Sequence, residues 1–228
     1  MKNTLLILAI FLLPILSYCQ SDTFQGEVKY DITYEGEGAE YMSMIGFSEY
    51  HYYFGDQKTR LKLSGGMAYL LNDFITNNVT GEKVMIDDVN KVVYSIEPDE
   101  AGEEEENENA LVVKTKDKEK IMGYKCTKYI VTVKTDSSEE TTEYWTTNKI
   151  NVNADVNIGL VSGLNYSGVE GFPLRISWTF DDLTMTQEAT YINTDIPATS
   201  KFEIPSTYAA KDFSESPLMK MTEEEEEE

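Results

Sequence analysis

The segment Phe24-Gln-Gly-Glu-Val-Lys-Tyr-Asp-Ile-Thr-Tyr-Glu35 carries the clearest structural signal in the chain, because apolar and polar residues alternate along it. A period of two is typical of a half-buried β-strand, whose successive side chains point to opposite faces of a sheet. One face takes Phe24, Gly26, Val28, Tyr30, Ile32 and Tyr34. The other takes Gln25, Glu27, Lys29, Asp31, Thr33 and Glu35. A slip of one residue would bury four charged side chains, so the pattern fixes the face that enters the core.

Similar alternation continues along the chain. Tyr50, Tyr52 and Phe54 fall on one face, and after a turn at Gly55-Asp56 the same face takes Leu61 and Leu63, which predicts a β-hairpin. Further strands are expected at 69–76, 82–87, 92–96, 111–114, 124–134, 141–147, 174–180 and 184–193. Helical patterns are limited to 41–47 and 150–160. About ten short strands predict a single mainly β domain over residues 20–212, an antiparallel meander that curls into a barrel or half-barrel.

Residues 1–19 are organised like a secretory signal, with Lys2 before an apolar stretch and small or polar residues after it. The apolar stretch has about 12 residues, whereas a membrane-spanning helix needs about 20. The end of the segment, Leu16-Ser-Tyr-Cys19, leaves two outcomes open. Cleavage before Gln20 would release a soluble protein, and acylation of Cys19 would anchor it to a membrane; the bulk of Tyr18 favours the first. We expect an exported protein of the periplasm or cell envelope.

The net charge of −22 comes from 41 acidic and 19 basic residues. Binding to nucleic acid is excluded on this ground, because it requires clustered Lys and Arg side chains. Acidic residues are concentrated in a run at 97–109 and in the six glutamates at 223–228. Like charges repel one another and bury no apolar area, so we expect a disordered acidic loop at 97–109 and a disordered acidic tail at 213–228. These runs would serve solubility, weak calcium capture or docking to a basic partner.

Residues that support catalysis or metal binding are scarce. His51 is the only histidine, and Cys126 is the only cysteine beyond the signal segment. Because no cluster of His, Cys or carboxylate side chains is apparent, we expect a non-enzymatic protein without a cofactor or metal. Cys126 is expected to be a small buried apolar residue, His51 to be exposed on the polar face of its strand, and Arg60 to form a cross-strand ion pair.

Several motifs resemble an uncharacterised family of exported Gram-negative proteins that is known as a domain of unknown function. The most telling are Ile121-Met-Gly-Tyr-Lys-Cys-Thr-Lys-Tyr129 and Gly171-Phe-Pro-Leu174. Three others agree: Phe24-Gln-Gly-Glu-Val-Lys-Tyr30, Lys58-Thr-Arg60 and Phe202-Glu-Ile-Pro-Ser-Thr-Tyr208. The similarity spans residues 24–208. It implies the lipoprotein-carrier fold of LolA and LolB, in which a strongly curved antiparallel sheet forms an open half-barrel, closed by short helices over a hydrophobic cavity.

The leading hypothesis is a binding protein that holds a lipid or a lipidated protein in the half-barrel. The candidate lining residues are the inward aromatic and aliphatic side chains: Tyr30, Ile32, Tyr52, Phe54, Leu61, Leu63, Trp178 and Phe180. The alternative is a structural or interaction module of the cell envelope with a filled core. The sequence does not separate the two, because inward aromatic residues can either fill a core or line a cavity.

Overall fold

The computed structural model describes residues 23–66, 68, 73–96, 110–134, 139–152, 168–217 and 219. These residues form a mainly β fold built on one large, open, curved sheet. Its twelve strands are β1 Gly26–Gly36, β2 Phe47–Phe54, β3 Lys58–Gly65, β4 Asp73–Asn77, β5 Lys83–Asp87, β6 Val92–Ile96, β7 Ala110–Ile121, β8 Tyr124–Lys134, β9 Glu139–Thr147, β10 Phe172–Phe180, β11 Leu183–Asn193 and β12 Ala209–Asp212. Helix α1 spans Ala39–Ile45, and short 3-10 helices span Thr199–Phe202 and Phe213–Glu215.

The strand order across the sheet is β12-β6-β5-β4-β3-β2-β1-β11-β10-β9-β8-β7. Neighbouring strands are antiparallel except for β12, which runs parallel to β6. Strand β1 pairs with β2 on one side and with β11 on the other. It therefore joins the early hairpins, β2 to β6, to the later ones, β7 to β11, in one continuous sheet.

The alternation predicted for β1 is confirmed and extends across the sheet. We call the face that carries Val28 and Tyr30 the inner face. Residues paired with Val28 through successive strands form one row on this face: Tyr52, Leu61, Phe74, Met85 and Tyr94. Every member of the row is at most 4% exposed. The row is the centre of the hydrophobic core, and cross-strand packing of this kind is what fixes the register of a sheet.

The outer face of the first hairpins is also covered, here by the segment that precedes β12. The Arg60 guanidinium donates a hydrogen bond of 2.8 Å to the Lys201 carbonyl oxygen. The Lys201 ammonium lies 4.7 Å from the centre of the Tyr53 ring, and the Phe202 ring packs on Gly55. Tyr53 is consequently only 4% exposed although it faces away from the inner core.

Several boundaries differ from those predicted. Strand β7 continues to Ile121 instead of ending at 114, because a register irregularity between Lys114 and Lys118 lets the ladder with β8 resume. Strand β4 is described from Asp73. The helix predicted at 41–47 appears as α1, shifted by two residues.

The predicted disorder from residue 213 is wrong for its first residues. Phe213 is 1% exposed and packs in the main core, and Asp212 caps the 3-10 helix by accepting a hydrogen bond from the Ser214 amide.

The signal segment at 1–19, the acidic loop at 97–109 and the glutamates at 223–228 lie outside the described residues. So does most of the helix predicted at 150–160. No helix in the described ranges is long and apolar enough to cross a membrane.

The core row gives a direct test of this architecture. Replacing Leu61, which is fully buried, with alanine is expected to lower the free energy of unfolding by about 2–5 kcal/mol, because the cavity is enclosed by strands on both sides. Urea unfolding followed by circular dichroism measures the change. Val79→Ala, at a turn residue that is 69% exposed, is the control and should shift stability by less than about 0.5 kcal/mol. Equal small effects at both positions would contradict the assigned core.

Candidate functional site

Six of the eight predicted lining residues lie together in the main core. Tyr30, Ile32, Tyr52, Phe54, Leu61 and Leu63 are each at most 7% exposed. Their aromatic rings pack on one another: the Tyr30 and Tyr52 rings meet edge to face at 5.8 Å, and the Tyr52 and Phe54 rings stack at 5.8 Å. The Tyr30 hydroxyl donates to the Pro173 carbonyl oxygen at 2.8 Å. These side chains are covered by protein atoms and leave little surface for a ligand.

The remaining two, Trp178 and Phe180, lie apart from the other six. They are on β10, and the pairing of Trp178 with Met185, which in turn pairs with Tyr34 of β1, places them on the same inner face. Their rings stack at 5.8 Å with an interplanar angle of 18°. Trp178 is half-buried and its indole donates to Glu140 at 3.4 Å, whereas Phe180 is 41% exposed. The sequence thus predicted the correct face but not the division of its residues into two places.

Three further apolar residues join Trp178 and Phe180 to form a contiguous surface. Leu183 and Met185 of β11 pair with Phe180 and Trp178, and Tyr34 of β1 pairs with Met185. All three are half-buried. We call Tyr34, Trp178, Phe180, Leu183 and Met185 the rim patch. Leu183 and Met185 were not predicted, although their alternation with Thr184 and Thr186 is a signal that could have identified them.

Two buried polar atoms on the inner face have no hydrogen-bond partner among the described residues: the Tyr52 hydroxyl oxygen and Gln187 Nε2. Gln187 is 3% exposed and lies between Ile32 of β1 and Ile176 of β10, its cross-strand neighbours. Burial raises the pKa of Tyr52 well above its usual range, so the phenol stays neutral. Most buried polar groups in proteins are hydrogen-bonded, which makes both atoms exceptions.

On the outer face, His51 contradicts the expectation that it is exposed, for it is only 9% exposed. Its Nε2 lies 3.1 Å from a Glu27 carboxylate oxygen, and its Nδ1 lies 3.0 Å from the Tyr53 hydroxyl. Burial, followed by the nearby Lys29 ammonium, lowers the pKa of His51. The difference from the prediction arises because neighbouring side chains and the segment around Lys201 cover this part of the sheet.

Two other single-residue predictions are confirmed. Arg60 forms a cross-strand ion pair with Asp73, its Nε lying 2.9 Å from a carboxylate oxygen. Cys126 is fully buried, and burial raises the pKa of its thiol. Within the described ranges, no group of three or more His, Cys, Asp or Glu side chains is arranged to hold a metal ion.

The burial of His51 predicts how stability depends on pH. The folded protein holds His51 with a pKa below 6.5, so the unfolded chain binds a proton first as the pH falls. The contribution of neutral His51 to the free energy of unfolding is complete above pH 6.5 and declines as the pH falls from there towards the lowered pKa. In His51→Gln, the unfolding free energy should fall less between about pH 7.5 and about pH 5.5 than in the wild type, as measured by urea unfolding. A steeper fall in the variant would contradict the assignment.

No curated protein sequence matches the chain. Two crystal structures are similar in backbone. The first is an uncharacterized conserved protein from Thermus thermophilus, with 6% sequence identity and a TM-score of 0.46 over 82% of this chain and 91% of that one. The second is LprF from Mycobacterium bovis, with 11% identity and a TM-score of 0.33 over 81% of this chain and 90% of that one.

The sequence profile of one family covers nearly the whole described fold. It matches residues 24–208, from just before the start of β1 to the segment that leads into β12. The chain therefore belongs to the family described as a domain of unknown function (DUF4412).

Proposed function

We propose that this protein is an exported, non-enzymatic binding protein that holds a hydrophobic ligand against the inner face of its open half-barrel. The observation that carries the proposal is the rim patch, a set of five apolar side chains that is contiguous across β1, β11 and β10 and is only partly covered by protein. Contiguous exposed apolar surface on a soluble protein commonly marks a site of interaction.

The rim patch has the composition of a ligand surface. Trp178 and Phe180 present stacked aromatic faces, Leu183 and Met185 add flexible aliphatic area, and the Tyr34 hydroxyl donates to the Phe47 carbonyl at 3.0 Å. Each 100 Å² of apolar surface that a ligand removes from water contributes about 2.5 kcal/mol. A ligand that covered the patch would therefore gain affinity chiefly from hydrophobic burial.

A lipid or a lipidated protein is the ligand class that we favour. The signal-like segment at 1–19 supports export to the cell envelope, where acyl chains are abundant, and the Gly-Tyr-Lys-Cys and Gly-Phe-Pro-Leu motifs resemble exported proteins with a LolA-like carrier fold. The sheet is open and curved, and the rim patch lies on the inner face of its central strands, β1, β11 and β10. Scarcity of catalytic side chains in the sequence supports binding rather than catalysis.

A second candidate is an interaction module of the cell envelope with a filled core. It is favoured by the dense packing of Tyr30, Tyr52, Phe54 and Leu61, which occupy much of the space that a carrier would leave for its ligand. Under this candidate the rim patch would contact another protein and would bind no lipid.

Trp178→Glu separates these candidates. A carboxylate in the middle of the rim patch should reduce binding of the neutral fluorophore N-phenyl-1-naphthylamine by about tenfold or more, because it would have to be desolvated by the ligand. A neutral probe is needed, since the protein carries a net charge of −22. Fluorescence titration gives the affinity, and circular dichroism checks the fold.

Ile196→Glu is the matched control, because Ile196 is apolar, 73% exposed and outside the rim patch. It should leave the affinity for the fluorophore unchanged. Equal affinity in a folded Trp178→Glu protein would exclude the rim patch as the ligand site.

A further inference from the structure

We infer that Gln187 is the polar anchor of the ligand site, and that the ligand is an uncharged acyl compound whose ester or amide carbonyl accepts a hydrogen bond from Gln187 Nε2. The inference rests on the proposed function and adds to it the chemical class of the ligand. It starts from the Gln187 side-chain amide, whose nitrogen is buried and finds no acceptor among the described residues.

Gln187 stands at the inner end of the rim patch. Leu183, Met185 and Gln187 occupy alternate positions of β11, so all three side chains lie on the inner face. The distance from Leu183 to Gln187 along the strand is roughly 13 Å at about 3.3 Å per residue. Exposure falls along this path, from the half-buried Leu183 to Gln187 at 3%. Gln187 Nε2 is covered by protein atoms, so an acyl chain lying on β11 from the rim inward would bring its polar group to the glutamine by displacing the side chains that cover it.

The surroundings of Gln187 select the polar group. The amide nitrogen only donates hydrogen bonds, so its partner must be an acceptor. Its cross-strand neighbours, Ile32 and Ile176, are apolar and 7% exposed. Arg175, the basic residue that precedes Ile176 on β10, is already paired with Glu119 and Glu188. A carboxylate would be buried here without a counter-ion, which is costly, whereas a neutral carbonyl needs only the hydrogen bond.

Three probes of equal chain length test the assignment: dodecane, methyl dodecanoate and dodecanoate. Each is titrated against the protein loaded with N-phenyl-1-naphthylamine, and displacement gives its affinity. We expect methyl dodecanoate to bind about 3- to 10-fold more tightly than dodecane, the gain typical of one hydrogen bond. Dodecanoate should bind more weakly than the ester at about pH 8, where its carboxylate is ionised.

Gln187→Met removes the amide while keeping the length of the side chain. In this variant dodecane should bind as well as in the wild type, and the preference for the ester should disappear. The melting temperature of the ligand-free variant should rise by a few degrees, because an unpartnered buried amide has been replaced by an apolar group. Gln57→Leu, at an exposed glutamine in the turn after β2, should keep the ester preference.

The outcomes distinguish this inference from the function on which it rests. If dodecane and its methyl ester bind equally to the wild type, or if Gln187→Met keeps the ester preference, the role of Gln187 is wrong while the binding function stands. Tighter binding of dodecanoate than of the ester would overturn the assignment of an uncharged ligand. If the fluorophore itself does not bind, the proposed function fails, and the inference fails with it. If the fluorophore binds but none of the three probes displaces it, the assignment of an acyl ligand is wrong.

Discussion

The pairing of β1 with both β2 and β11 organises the whole sheet. Because β2 and β11 both bond to β1, its alternation of residues sets which side chains of both halves of the sheet point inward. Val28 lies opposite Tyr52 on one side and Ile192 on the other, and Ile32 lies opposite Gln187, which pairs in turn with Ile176 of β10. A slip of one residue would bring Lys29 and Asp31 to the inner face, so the observed register is strongly favoured over a shifted one.

The two halves use this shared inner face differently. From β2 to β6 the strands are packed on the inner face, and around Tyr53 they are also covered on the outer face, so this half behaves as a closed core. On β10 and β11 the row that contains Ile32, Gln187 and Ile176 is buried, whereas Trp178 and Met185, two residues away along their strands, are only partly buried. The closed half is packed around the core row, and the other half carries the rim patch.

The sequence predicted the elements that depend on local pattern. The strands around Tyr30, Tyr52 and Leu63 and the mainly β class follow from alternation and turn residues, which neighbouring positions determine. What the sequence did not predict depends on contacts between distant segments. His51 alternates with apolar residues and was therefore expected to be exposed, yet it is covered through packing that involves Tyr53 and Lys201.

The same limit applies to the candidate site. Trp178 and Phe180 share the face of Tyr30 and Tyr52, so alternation alone groups all four. Their division between a filled core and a rim patch depends on which strands pair across the sheet and what covers each row, and the local alternation does not contain this information. Gln187 sits between Thr186 and Glu188 in a stretch with a polar pattern. Only the cross-strand register, which sets it between two isoleucines, reveals that it is buried.

We propose that the rim patch and the inner face next to it hold an acyl ligand in the cell. Native mass spectrometry of the protein purified from its own envelope fraction, followed by lipid extraction, is the decisive experiment. We expect a complex whose mass exceeds that of the processed chain by one bound lipid, which is released on denaturation. A bare polypeptide mass under conditions that preserve other lipid complexes would contradict it and would favour an interaction module with a filled core.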